Sequence, residues 1–131
     1  MSIVAIRTAL ETHLNALAPS LSTAWESVPF VPVAGTPYQQ VNLLPSDTLN
    51  PSMGDNHYRE KGIFQVTLCY PSNVGVKTIT TRADLLCAWF KRGTSLNGVS
   101  IFKTPSKAKD MADGDRIRMS VSIHWQYDNF S

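Results

Sequence analysis

The chain has 131 residues, 43% of them hydrophobic and 17% charged, a globular rather than a disordered composition. That length suits one domain, residues 1–131, built on one core. Twelve Lys and Arg against ten Asp and Glu leave a formal charge of +2, too weak by itself to argue for a nucleic-acid or membrane partner. No apolar run approaches the roughly 20 residues of a spanning helix. The first seven residues also lack the basic-then-apolar layout of a signal peptide, so the cytoplasm is the expected compartment.

Behind the helix-capping residue Ser2, the residues Ile3, Ile6, Leu10, Leu14 and Leu17 recur at steps of three or four. This predicts an amphipathic helix of about four turns, stopped by Pro19, which has no backbone N–H to continue it. Residues 22–28 read as a first strand, and Pro29, Pro32, Gly35 and Pro37 as a turn-rich connection. Residues 38–44 then form a second strand ended by Pro45. From Ser46 to Gly62 the chain is polar and holds Pro51, Gly54 and Gly62, which predicts a loop of about 16 residues, long for a compact domain.

Phe64, Val66, Leu68 and Tyr70 alternate with Ile63, Gln65, Thr67 and Cys69, so a third strand turns its uniformly apolar set to the core. A second helix is expected from Val76 or Thr78 to Lys91, with Ile79, Ala83, Leu86 and Phe90 on one face and Leu85 and Trp89 widening it. Gly93 suits its C-terminal left-handed position. Asn97-Gly98 marks a turn into a short strand, residues 99–102, and a polar stretch closes with Asp113-Gly114-Asp115. Finally, Ile117, Met119, Val121, Ile123, Trp125 and Tyr127 alternate with Arg116, Arg118, Ser120, Ser122, His124 and Gln126. That is a long strand buried on one side only, as in antiparallel sheets. The expected fold is α+β, a mostly antiparallel sheet of about five strands in the order α-β-β-β-α-β-β, with both helices on one face.

Catalytic templates fail one after another. His13, His57 and His124 are scattered, with no HExxH or HxH, and neither GxSxG nor a phosphate-binding glycine loop occurs. Cys69 and Cys87 form no CxxC and read as two buried thiols. Asp110, Asp113 and Asp115 lack the spacing of a calcium loop and fit an ordinary turn. Lys103, Lys107, Lys109, Arg116 and Arg118 make a mildly basic C-terminal third, without the interleaved aromatics of a single-strand binder. No enzyme, metal or cofactor is expected, and the residues alone point to a structural or assembly part.

Several segments, in order and across the whole chain, resemble the tail terminator-like family of long-tailed bacteriophages. They are Ala24-Trp25-Glu26-Ser27-Val28-Pro29-Phe30 with Gly35-Thr36-Pro37-Tyr38, then Val41-Asn42-Leu43-Leu44-Pro45. The most specific is Tyr58-Arg59-Glu60-Lys61-Gly62-Ile63-Phe64-Gln65-Val66 with Tyr70-Pro71. Arg82-Ala83-Asp84 with Phe90-Lys91-Arg92-Gly93-Thr94, and Asp113-Gly114-Asp115-Arg116, complete the set. The resemblance implies a non-enzymatic virion protein that caps the head-proximal end of the tail tube as a hexameric ring. Such a ring stops tube polymerisation, offers a surface for the neck of the filled head and lets DNA pass without sequence recognition. Its partners would be copies of itself, the major tail-tube protein and a head-neck connector, and no membrane. The alternatives are a head-completion or neck adaptor and, from another class, a small module binding a ligand or nucleic acid.

The family brings no catalytic residues. A candidate interface with the tube or a neighbouring subunit is Asp55, Asn56, His57, Tyr58, Arg59, Glu60 and Lys61, because long polar loops often carry function. Arg59 and Glu60 offer opposite charges for bridging subunits, or else simply open the third strand in solvent. The polar face of Arg118, Ser120, Ser122, His124 and Gln126 meets either a neighbour or water.

Overall fold

A computed structural model describes residues 3–17, 21–26, 28–31, 35–45, 58–72, 75–96 and 98–129. Helix α1 (Ile3–Asn15) is followed by β1 (Ser22–Ala24), β2 (Tyr38–Pro45) and β3 (Tyr58–Pro71). Helix α2 (Val76–Trp89) precedes β4 (Ser95–Leu96), β5 (Val99–Ile101), β6 (Ser106–Lys107), β7 (Met111–Asp113) and β8 (Arg116–Asn129). The eight strands form one sheet in the order β1-β2-β3-β8-β5-β4, with β6 and β7 also paired to β8. The expected count of about five strands is therefore too low, since five of these strands are only two or three residues long. The sheet is antiparallel except between β1 and β2, which run parallel.

At the centre lies an unbroken antiparallel ladder of β3 and β8, from Tyr58↔Asn129 to Pro71↔Arg116. Its period-two pattern sends Phe64, Val66 and Leu68 to the same side as Val121, Ile123 and Trp125, all fully buried. Ile6, Leu10 and Leu14 of α1 and Ile79, Ala83 and Leu86 of α2 enter the same cluster, so both helices cover one face. This is the layered packing expected from the two apolar stripes.

The structure corrects several boundaries. β1 stops at Ala24, so Trp25, Glu26 and Val28 are not strand. β3 begins at Tyr58, so the last part of the expected loop from Ser46 to Gly62 is strand. Tyr58 to Lys61 carry no apolar alternation, and their pairing with Gln126 to Asn129 runs past the end of β2 at Pro45↔Gly62. The polar stretch before Asp113 contains β6 and β7. Leu85 and Trp89 do not widen the buried stripe of α2; both are exposed. Cys69 is buried as expected, whereas Cys87 is only half-buried. Pro19 and the residues 46–57 lie outside the described residues.

β5, β6 and β7 lie along one edge of β8 as pieces of a single interrupted strand. From Ile101 to Ser106 the edge advances five positions while β8 advances three, from Trp125 to Ser122. From Lys107 to Met111 it advances four against three. Those surplus residues are bulges, which deform an edge and spoil it as a template for further strands.

Candidate functional site

Asp55, Asn56 and His57 of the candidate interface lie outside the described residues. Tyr58 and Arg59 take the register positions opposite Asn129 and Asp128 in the projecting end of the β3–β8 ladder. Lys61 and Glu60 are half-buried on opposite faces, and one carboxylate oxygen of Glu60 is buried with no hydrogen-bond partner among the described residues. This end of the ladder runs four residue pairs beyond β2; β5 still flanks β8 at Gln126 and Tyr127, and only Tyr58↔Asn129 and Arg59↔Asp128 stand as a two-stranded tongue.

Some of the segments that suggested the family meet at two structural joints. At the first, the Arg116 guanidinium donates to the Thr36 carbonyl at 3.0 Å and lies 4.9 Å from the centre of the Tyr38 ring. The Ser72 N–H donates to the Asp115 carbonyl at 2.9 Å beside it. The turn before β2, the end of β3 and the β7–β8 turn are thereby tied together at one end of the sheet. Phe30 packs on Tyr38 with ring centres 5.2 Å apart, folding the segment after β1 over the face opposite the helices.

At the second joint, Glu26 does work that sequence reading missed. Past Ala24 the outer edge of β2 has no strand partner among the described residues, and the Glu26 carboxylate accepts the Leu43 N–H there. The same oxygen accepts from Arg7 of α1 at 2.9 Å. Burial acts to raise the Glu26 carboxyl, but the Arg7 hydrogen bond, the Leu43 N–H and the Arg7 charge outweigh it and hold it below the usual carboxylate value. Glu11 stands 3.8 Å from Arg7. Burial pushes its carboxyl up, and the Glu26 charge adds to that against the pull of Arg7. No pattern in the sequence announces this triad, because its members come from α1, the segment after β1 and β2.

His13 and Trp89 clasp the two helices. Trp89 Nε1 donates to the His13 carbonyl at 2.6 Å, and His13 Nε2 donates to the Trp89 carbonyl at 2.8 Å. Their rings stack 4.7 Å apart, an ordinary structural employment for a histidine. His124 packs edge-on against Phe102, and burial followed by the charge of Lys103 lowers its pKa. The polar sheet face around it is half-buried rather than open to water. Thr67 and Ser120 share a hydrogen bond across it at 3.2 Å.

Among the described residues no group of three or more His, Cys, Asp or Glu side chains could hold a metal ion. No helix among them is long and apolar enough to cross a membrane. What the geometry offers is edges, a tongue and a half-covered face, the parts of an assembly unit.

No curated protein matches the chain. A solved structure that carries no functional name superposes on it with a TM-score of 0.77 at 24% identity, covering 97% of this chain and 96% of its own. That likeness speaks for the fold alone. A family model described as Phage tail terminator protein matches residues 5–125. The chain belongs to the phage tail terminator family, whose members are structural components of the virion tail.

Proposed function

We propose that this protein caps the head-proximal end of the phage tail tube as a hexameric ring, stops tube growth and presents the surface to which the head-neck connector joins. The observation that carries this reading is the family match over residues 5–125. The sheet supports it. A cap on a polymer must not template further growth, and the part of β2 past β1 and the interrupted edge along β8 are both poorly suited to strand addition. Glu26 occupies the Leu43 N–H on one edge, and bulges interrupt the other. The protein works without catalysis or cofactor, and DNA passes its ring without sequence recognition. Its partners are further copies of itself, the tail-tube protein and the connector. The start of β3 from Tyr58 to Lys61, with Asp55, Asn56 and His57 before it, meets the tube or a neighbouring copy.

Electron microscopy of lysates from the phage lacking this gene tests the reading. Overlong, irregular tubes without heads are expected. Tails of normal length beside unattached filled heads would move the protein to the neck and overturn the termination role.

A further inference from the structure

Helix α2 and the residues after it carry two segments that suggested the family, Arg82-Ala83-Asp84 and Phe90-Lys91-Arg92-Gly93-Thr94, and neither enters the two joints described above. Ile79, Arg82, Ala83 and Leu86 are the buried residues of this helix. Lys77, Thr81, Leu85 and Trp89 follow one another at steps of four and are all exposed. They form one row along the outside of the helix, about 18 Å long. Leu85 is 41% exposed and Trp89 37%, although Trp89 is clasped to His13 at the far end of the row. Beside the nearer half lies a pocket of about 330 Å³, lined by Tyr70, Lys77, Thr78, Thr81, Arg82 and Leu85. Tyr70 and Arg82 are buried and so set back in it, whereas the other four are exposed at its mouth.

The charge along this face has one sign. Lys77 and Arg82 are the charged residues that line the pocket, and exposed Lys91 and Arg92 follow just beyond Trp89. The one acid of the helix, Asp84, bonds Lys107 of β6. Burial acts against the charged form of Arg82, and Tyr70 opposes that only in part. A guanidinium set back from water binds a carboxylate strongly, because its planar fork matches the two oxygens and solvent screens the pair less. The Tyr70 ring and the Leu85 side chain offer an apolar anchor its seat beside that cation. A face of uniform sign repels a twofold copy of itself and suits a partner of the opposite charge.

We propose that this face of α2 seats a segment of another tail protein that carries a carboxylate beside an apolar side chain, the carboxylate on Lys77 and Arg82 and the apolar group against Tyr70 and Leu85. This rests on the terminator reading above and adds the surface by which the chain holds a protein other than itself.

The test uses phage in which variants replace the native gene. Leu85→Glu puts a carboxylate at the mouth of the pocket, whereas Leu85→Met keeps an apolar group of similar volume. Leu85 is exposed, and circular dichroism of the purified chains checks that both variants fold. Leu85→Glu is expected to lose plaque formation to the level of the gene deletion, and Leu85→Met to retain it. In a second arm, a photo-crosslinking benzophenone residue replaces exposed Thr81, and mass spectrometry sequences the peptides joined to it in irradiated virions. The expected product holds an Asp- or Glu-containing peptide of a different tail protein, and adding Lys77→Glu should cut its yield several-fold. Normal plaques from a folded Leu85→Glu, a product with a second copy of this chain, a yield indifferent to Lys77→Glu, or no product from infectious virions overturns this surface while leaving the terminator reading intact. Tails of normal length from the deletion itself would instead overturn the terminator reading.

Discussion

The middle of this sheet and its rims are held together in different ways. Between β3 and β8 the ladder runs unbroken from Tyr58↔Asn129 to Pro71↔Arg116, and the core-facing side chains on both strands are almost all buried. At the rims, pairing comes in fragments of two or three residues, and single side chains make the joins. Glu26 holds the open edge of β2, and Lys107 bonds Asp84 to fix β6 against α2. The centre is thus a cooperative structure with repeated contacts, while each rim depends on a few separable groups. A protein that must fold before it assembles benefits from that division, since the rims can be shaped for partners with little disturbance of the core.

The sharpest way to break the comparison is to strike the centre. Phe64 is fully buried, faces Ile123 in the ladder and lies 6.1 Å from the Phe90 ring. Phe64→Ala removes a ring from a close-packed site and should cost about 3–5 kcal/mol, a large share of the stability of a small domain. Urea denaturation reads it as a large fall in midpoint at nearly constant slope. A loss no greater than that of a rim substitution would refute the division.

A smaller effect belongs to the turn that feeds β5. Gly98 has φ +91°, and a Cβ there would come within 2.9 Å of Tyr127 Cε1. Gly98→Ala therefore combines left-handed strain with a close contact and should cost about 1–3 kcal/mol. Thermal unfolding tests this. An unchanged midpoint would mean that the β5 rim adjusts its backbone freely, sharpening the contrast with the centre.

The same division explains what could be read before the structure. The stripe of Ile6, Leu10 and Leu14 and the alternation from Ile117 to Tyr127 are periodic within one element, so neighbours in sequence report the face that is buried. β6 and β7 are too short for any period, and their existence depends on the β8 positions they meet. The start of β3 was hidden because Tyr58 to Lys61 pair where β2 has ended and show no apolar alternation. Of the candidate interface, the residue types and a polar stretch were legible. The projecting ladder was not, because β8 reaches it from the other end of the chain.

The smallest expected effect tests whether one rim group acts on its own. Glu26 is part-exposed and accepts both the Leu43 N–H and the Arg7 guanidinium. Its carboxyl is held below the ordinary carboxylate value. A group with a depressed folded-state pKa contributes stability that is present above its unfolded pKa and lost as pH falls through the folded one. Glu11 runs the other way, since its raised carboxyl disfavours the folded state once ionised and partly offsets Glu26 near neutrality. The native chain should therefore hold its stability from neutrality down to about pH 4.5 and lose part of it below. Glu26→Gln keeps an acceptor for Leu43 but not the charge, and solvent screening limits its cost to about 1 kcal/mol at pH 7. The variant should show a weaker decline on the acid side, so the two curves converge as pH drops. Parallel curves would show that other carboxylates govern the acid limb and that the Arg7–Glu26 joint contributes nothing that titrates.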